Sequence, residues 1–193
     1  MQQEERTLIL IKPDGVKRGL IGQVISRFEA RGLKIVSLEM LWAKRDQISR
    51  HYPQNEVWIT RVGGKVLENY KKDNIDPVKS LGSKDPLELG QKAREWLLDY
   101  LTSGPIVKVV VSGNHAIAVV RKLAGGTMPA EAIVGTIRGD FAIDDAVKAN
   151  REKRAVKNIV HASENGEEAA NELELWTSID DIFDYRRTDE EEV

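Results

Sequence analysis

The chain has 193 residues, of which 41% are hydrophobic and 31% charged, as in a globular protein with a substantial core. Its formal net charge of -2 argues against binding nucleic acid through bulk positive charge. The absence of cysteine excludes disulfides, thiolate metal sites and cysteine nucleophiles. A polar N-terminus and the lack of a long apolar run lead us to expect a cytoplasmic protein without membrane contact.

Strand and helix patterns alternate along the first part of the chain. Thr7–Ile11 is a short apolar run, typical of a strand buried on both faces, and it leads into a turn at Lys12–Gly15. Residues 20–28 carry apolar side chains at helical spacing. From Lys34 the apolar residues recur at every second position, which predicts a second strand with one face formed by Val36, Leu38, Met40 and Trp42.

The middle of the chain predicts helices separated by a polar loop. Asp46 begins a short helix that stops at Pro53. The stretch from Lys71 to Asp85 is polar, and we expect a loop there. Pro86 then opens a helix with an apolar inner face, since proline is favoured at the first helical position.

The remaining part alternates again. Ile106–Val111 is the clearest strand, and the apolar run His115–Ala124 is interpreted as a helix because two glycines follow it. Gly135–Phe141 is interpreted as a loop with two hinge glycines. A charged run from Asp144 to Lys157 leads into Asn158–His161, where two β-branched residues indicate a short strand that ends at the histidine. Asn165 is expected to cap the helix that follows.

The order of these elements favours an α/β sandwich, with helices packed on one side of a mostly antiparallel sheet. No internal repeat and no linker is found. We therefore expect a single domain over residues 1–193.

Several side chains that bind phosphate adjoin glycine turns or predicted element ends: Lys12, Arg18, Arg121, Thr127 and Arg138. Taken singly, each is most simply a surface residue. A neutral imidazole such as that of His161 is a nucleophile near neutral pH, although a lone histidine after a strand is more often structural. Together, cations and an imidazole suit phosphoryl transfer to nitrogen. Neither a P-loop nor a Rossmann glycine pattern is found.

Three segments occur in an order that closely resembles the nucleoside diphosphate kinase family. They are IKPDGVKRGLIG (Ile11–Gly22), GTIRGDF (Gly135–Phe141) and NIVHAS (Asn158–Ser163). The resemblance runs from Arg6 to about Tyr185. It implies an α+β, ferredoxin-like sandwich around a four-stranded antiparallel sheet, with insertions near 63–103 and 144–157.

The resemblance implies a role for individual catalytic residues. His161 would accept the γ-phosphate as a phosphohistidine, Glu172 would hold the other ring nitrogen, and Ser163 would support that carboxylate. Lys12 would reach the phosphates and the sugar 3′-hydroxyl, and Tyr52 would approach the transferred phosphate. The remaining nucleotide ligands would be Arg121, Thr127 and Arg138 for the phosphates and Asn158 for the ribose.

Two departures from the family concern the neighbour of the histidine and the nucleobase. Ala162 stands where the family usually has glycine, and Thr60 stands where an aromatic residue usually stacks on the base. Trp58 is our substitute for that aromatic residue. Either Ala155 or Val156 would pack on the other side of the base.

The implied activity is ping-pong transfer of the γ-phosphate from a nucleoside triphosphate to a nucleoside diphosphate. Mg2+ would be held by the nucleotide phosphates and not by a protein cage. The expected assembly is a homo-oligomer, usually a hexamer. The alternatives are a catalytically inactive ferredoxin-like regulatory module that binds nucleotides and a nucleic-acid-binding protein. The second lacks the required net positive charge and aromatic pairs on a strand, so no specific nucleic-acid partner is expected.

Overall fold

The computed structural model describes residues 4–188. Its strands are β1 (Glu5–Ile11), β2 (Lys34–Leu41), β3 (Ile106–Gly113) and β4 (Val160–Ala162). Its α-helices are α1 (Pro13–Lys17), α2 (Ile21–Glu29), α3 (Arg45–His51), α4 (Glu56–Lys72), α5 (Pro77–Leu81), α6 (Pro86–Leu101), α7 (Ala116–Ala124), α8 (Ile137–Phe141), α9 (Ala146–Arg151) and α10 (Gly166–Trp176). Within 4–188, every helix is too short or too polar to cross a membrane.

The described residues group into two compact units. The first takes its residues from 4–42, 105–143 and 158–188, and the second comprises Ala43–Gly104 and Asp144–Lys157. The strands β1 to β4 belong to the first unit. The stretches 63–103 and 144–157, expected as insertions, lie in the second unit, and the expected single-domain organisation stays a prediction.

The first unit is built on a four-stranded antiparallel sheet with the strand order β2-β3-β1-β4. This sheet confirms the predicted fold class. Leu8–Ile11 is fully buried, as expected of a central strand covered on both faces. Alternate side chains of β1 and β3 form one core with α2 and α7, in which Ile9, Val109, Phe28 and Val120 are buried.

The opposite face of the sheet carries His161. Leu10 pairs with His161 on one side and with Lys108 on the other, so these three side chains share that face. Helix α10 packs on this face. The Nζ of Lys108 donates to the carbonyl of Trp176, the last residue of α10, at 3.0 Å. The expectation of helices on one side only was therefore wrong, and α10 is the helix that meets His161.

The second unit contains the helix pair α4 and α6, which cross at two glycines. A Cβ on Gly63 would lie 1.8 Å from the carbonyl oxygen of Pro86, and one on Gly90 would lie 2.0 Å from that of Ile59. Only residues without a side chain allow the two backbones to approach this closely. A small core of Val66, Tyr70, Leu89 and Val147 lies beside the crossing.

Three predicted turns or loops contain helix. The polar loop expected from Lys71 to Asp85 is interrupted by α5, because Asp76 accepts from the N–H of Val78 and so caps this helix. The turn at Lys12–Gly15 is the start of α1, with Pro13 at a first-turn position. Gly135–Phe141 includes α8, since the Thr136 side chain caps it.

Candidate active site

The segment before β4 holds its backbone in an unusual conformation. Ile159 has a φ of +68°, which is strained for a β-branched residue. Three hydrogen bonds keep it there: the N–H of Lys12 donates to the Ile159 carbonyl at 2.7 Å, the N–H of Ile159 donates to the Asp14 carboxylate at 3.2 Å, and the N–H of Val160 donates to the Asn158 carbonyl at 2.7 Å. The junction between β1 and α1 thus fixes the backbone that leads into His161.

His161 contacts a buried carboxylate on α10. Its Nε2 lies 2.7 Å from Oε1 of Glu172, and the Ser163 hydroxyl donates to the other carboxylate oxygen at 2.6 Å. Both oxygens of Glu172 are therefore engaged, and the carboxylate cannot turn away from the ring. With Nε2 on the carboxylate, Nδ1 is the ring nitrogen whose lone pair is available.

The imidazole of His161 is kept neutral. Burial lowers its pKa well below the ordinary value of 6.5, and the positive charges of Lys12, Arg138 and Arg121 lower it further. Only 13% of the side chain is exposed. A neutral imidazole beside several cations is the form that can attack an electrophile carried by a polyanion.

Lys12 and Asn158 form a buried pair next to the histidine. Lys12 Nζ donates to Oδ1 of Asn158 at 2.7 Å, and Nδ2 of Asn158 donates to the Thr127 carbonyl at 3.0 Å. Burial, together with the positive charge of Arg138, lowers the pKa of Lys12 to about 7. This chain of contacts brings together three of the residues predicted to bind nucleotide.

Arg138 anchors its guanidinium on backbone carbonyls of two neighbouring segments. Nη2 donates to the Val160 carbonyl at 2.8 Å, and Nη1 donates to the Gly125 carbonyl at 2.6 Å. The first of these bonds is made to the residue that precedes His161. Arg121, on α7, is exposed, and its charge still reaches the imidazole. Both arginines therefore belong to the same positive surrounding of His161.

Sequence reasoning missed the ion pair that holds the segment around Arg138. Arg27 on α2 contacts the Asp140 carboxylate at 2.6 Å and donates to the Gly135 carbonyl at 3.0 Å. Asp140 also accepts from the N–H of Gly135 at 2.7 Å. The G-D pair inside GTIRGDF was the available signal for Asp140, whereas nothing local marked Arg27 as its partner.

Arg18 was expected among the candidate phosphate cations. In the structure, its Nη1 donates to the carbonyl of Phe141, the last residue of α8. This bond ties the end of α1 to the end of α8. This contact agrees with the simpler interpretation, in which Arg18 is a surface residue and not a phosphate ligand.

The carboxylates near His161 in the first unit already accept hydrogen bonds from the protein. Glu172 accepts from Ser163, and Asp14 accepts from the N–H of Ile159. The neighbouring groups of the first unit include the ammonium of Lys12, the guanidinium groups of Arg121 and Arg138 and the amide of Asn158. Such a donor set suits the oxygens of a phosphate better than it suits a bare metal ion.

The second unit holds Tyr52 and the residues expected at the base. Tyr52 directly follows α3, and its ring centre lies 5.9 Å from that of Trp58 on α4, with the planes tilted by 36°. Ala155 is buried and Val156 half-buried in the segment after α9. Each of these residues keeps its sequence-based role as a prediction.

A sequence model of the family described as nucleoside diphosphate kinase matches residues 5–57 and 89–182. The match includes His161 and the other predicted catalytic and phosphate-binding residues, whereas Trp58 falls in the unmatched stretch. The nucleoside diphosphate kinase of Pyrobaculum aerophilum is 46% identical over 180 residues, covering 93% of this chain and 98% of the relative. A second relative, from Archaeoglobus fulgidus, is 39% identical over 97% of this chain and 95% of its own length.

Solved structures agree with the sequence comparison. A crystal structure of an NDP kinase from Pyrobaculum aerophilum has a TM-score of 0.90 at 44% identity, covering 94% of this chain and 100% of that one. A transition-state mimic of the nucleoside-diphosphate kinase from Borrelia burgdorferi, with bound vanadate and ADP, has a TM-score of 0.79 at 34% identity, covering 98% and 96%. The chain belongs to the nucleoside diphosphate kinase family.

Proposed function

We propose that this chain transfers the γ-phosphate of a nucleoside triphosphate to a nucleoside diphosphate through a phosphorylated His161. In the first half-reaction, the Nδ1 lone pair attacks the γ-phosphorus, and the bond from phosphorus to the bridging oxygen breaks. The nucleoside diphosphate leaves with that electron pair. In the second half-reaction, a terminal oxygen of another nucleoside diphosphate attacks the phosphohistidine and releases Nδ1.

One observation carries this proposal: the 2.7 Å contact between His161 Nε2 and Glu172 Oε1. A carboxylate on Nε2 keeps the proton on that nitrogen and leaves Nδ1 as the nucleophile. It also stabilises the positive charge that the ring gains when Nδ1 binds phosphorus. Ser163 holds the carboxylate in this position.

The proposed nucleotide ligands are those the resemblance implies. Lys12, Arg121 and Arg138 would neutralise the phosphate oxygens, Thr127 would donate its hydroxyl, and Asn158 would contact the ribose. The three cations are supported by their shared effect on the pKa of His161, and Asn158 is supported by its bonds to Lys12 and to the Thr127 carbonyl. Tyr52 would approach the transferred phosphate, and Trp58, with Ala155 or Val156, would pack on the base. The complexes of relatives with ADP and with CDP support nucleotides as the substrates.

A divalent cation belongs to the chemistry of the family, and we propose Mg2+ carried on the nucleotide phosphates. The residues around His161 fit this arrangement, because they offer donors and positive charge to phosphate oxygens while Glu172 and Asp14 are engaged within the protein. When bound, the ion would neutralise the phosphates of the leaving nucleotide. The protein residues would orient those phosphates for in-line transfer.

A homo-oligomer, with a hexamer as the expected size, completes the proposal, together with a cytoplasmic location. Strand β2 forms an edge of the sheet, and its side chains Leu38 and Met40 are 53% and 56% exposed. Exposed apolar side chains on an edge strand support pairing with another chain. Light scattering of the purified chain measures the assembly directly.

The catalytically inactive regulatory module is not favoured, because the chain belongs to the kinase family and its His161 contacts Glu172. The test is to incubate the chain with ATP labelled on the γ-phosphate and then to chase with CDP. We expect label on the protein that is stable to base and labile to acid, and its transfer to CTP on the chase. Unlabelled protein, or label that CDP does not remove, contradicts the proposed function.

A further inference from the structure

Arg94 of α6 is a buried charge that donates three hydrogen bonds to one short segment, and its Nη1 also lies 3.5 Å from Oε1 of Glu95 on the same helix. Its residue surface is only 4% exposed. Nε donates to the Tyr52 carbonyl at 2.8 Å, and Nη2 donates to the Ser49 carbonyl at 3.1 Å and the Ser49 hydroxyl oxygen at 2.7 Å. A buried guanidinium is tolerated when it is bonded in this way. Here these bonds reach the last turn of α3 and the residue that follows it.

Tyr52 keeps one bond to α3, because its N–H donates to the Ile48 carbonyl at 3.0 Å, and Arg94 supplies a second anchor at the Tyr52 carbonyl. Tyr52 is the residue after His51 at the end of α3, with φ of −108° and ψ of 89°. The last carbonyls of a helix have no partner within it, and Arg94 supplies donors to two of the carbonyls at this end. With its carbonyl fixed, the Cα–Cβ direction of Tyr52 is fixed as well. The ring then lies between His51, at 4.6 Å, and Trp58, at 5.9 Å.

A second link joins the same two helices without touching Tyr52. Arg45, the first residue of α3, contacts Glu95 and Asp99 of α6, each at 2.6 Å. These pairs are at least half exposed, so each contributes little to stability. Arg45 therefore provides a matched comparison: it shares Glu95 with Arg94 and links α3 to α6, whereas Arg94 combines that link with bonds to the Tyr52 backbone.

We propose that Arg94 is a positioning residue for Tyr52, acting on phosphoryl transfer through the placement of the tyrosine hydroxyl. The proposal rests on the proposed function, in which that hydroxyl approaches the transferred phosphate. It assigns the buried arginine a kinetic role besides its role in packing. Without the Arg94 guanidinium, the carbonyls of Tyr52 and Ser49 lose their shared donor, and the segment from Ser49 to Tyr52 relaxes by a small displacement.

The test is a double-mutant cycle read by single-turnover phosphorylation of His161 at saturating ATP. Arg94→Met slows the transfer, by up to about 100-fold for a displacement near 1 Å. Tyr52→Phe removes the hydroxyl and slows it as well. The double variant is no slower than Tyr52→Phe, because Arg94 acts through the Tyr52 hydroxyl and that hydroxyl is already absent. Arg45→Met leaves the rate unchanged.

Arg94→Lys keeps the charge but lacks the planar fork, and it restores only part of the rate. It also replaces Arg94→Met in the cycle if the methionine variant does not fold. An equal slowing by the Arg94 substitution in both backgrounds, an equal slowing by Arg45→Met, or an unchanged rate in Tyr52→Phe overturns the proposal. Failure of the proposed function is distinguishable, because it leaves His161 unlabelled in the unsubstituted chain.

Discussion

Glu172 and His161 face each other between α10 and β4, with Oε1 of the carboxylate 2.7 Å from Nε2 of the imidazole. The contact depends on α10 covering the face of the sheet to which the histidine points. Ser163, two residues after His161, binds the second carboxylate oxygen. A strand end and a helix thus share one small network that engages Nε2 of the imidazole.

Removing the charge of Glu172 tests this network. Glu172→Gln keeps the shape of the side chain but loses a hydrogen bond to a charged group, which contributes about 1.5–3 kcal/mol. We expect phosphorylation of His161 by ATP to slow by about ten- to hundredfold, measured in a single turnover. Glu168→Gln on the same helix is the matched control, because its carboxylate accepts from the N–H of Glu164. An unchanged rate in Glu172→Gln would show that the carboxylate does not support the nucleophile.

We expect nucleotide binding to depend on pH through Lys12. Its pKa of about 7 means that the lysine is mostly neutral at pH 8 in the free protein. The phosphates of a nucleotide favour the charged form, so binding raises the pKa and takes up a proton. We therefore expect the affinity for ATP to fall as the pH rises above about 7. Calorimetry at pH 8 in two buffers of different ionisation enthalpy measures the proton uptake.

Lys12→Met provides the comparison for that titration. The variant has no ammonium group to charge, so its uptake of protons at pH 8 should be close to zero. The variant should also bind ATP more weakly at pH 6, where the lysine of the parent chain is charged. Equal proton uptake by the two proteins would show that Lys12 is not the group responsible.

The crossing of α4 and α6 gives a paired prediction for stability. Gly63→Ala places a methyl group where the Pro86 carbonyl lies, and we expect it to lower the free energy of unfolding by about 1–3 kcal/mol. Gly64→Ala, one residue further along α4, points into open space and should raise it by up to about 1 kcal/mol through helix propensity. Urea denaturation measures both. A stabilising Gly63→Ala would contradict the close helix contact.

The sheet and most of the site could be predicted because their signals are local. β1 contains the apolar run Leu8–Ile11, and β3 is apolar from Ile106 to Val111 apart from Lys108; such runs indicate buried strands without any knowledge of their neighbours. His161 and Arg138 stand inside short motifs that carry a family resemblance.

Helix α4 was not predicted, because its two adjacent glycines are residues typical of turns and loops. Gly63 serves the tertiary contact with α6, which a local pattern does not contain. The same limit applies to Arg27 and Asp140, which lie 113 residues apart in the sequence and meet only in the folded chain. Arg94 and the α3 segment are a third case, because an arginine on a helix with many charged residues gives no sign of which carbonyls it will bind.

The role of His161 Nδ1 as the nucleophile is tested directly by identifying which ring nitrogen carries the phosphate. The protein is phosphorylated with ATP, hydrolysed in base, and its phosphohistidine is identified against the two isomeric standards. We expect the isomer with phosphorus on Nδ1, and no phosphohistidine in His161→Ala. Phosphate on Nε2, or phosphohistidine that persists in His161→Ala, would contradict that role.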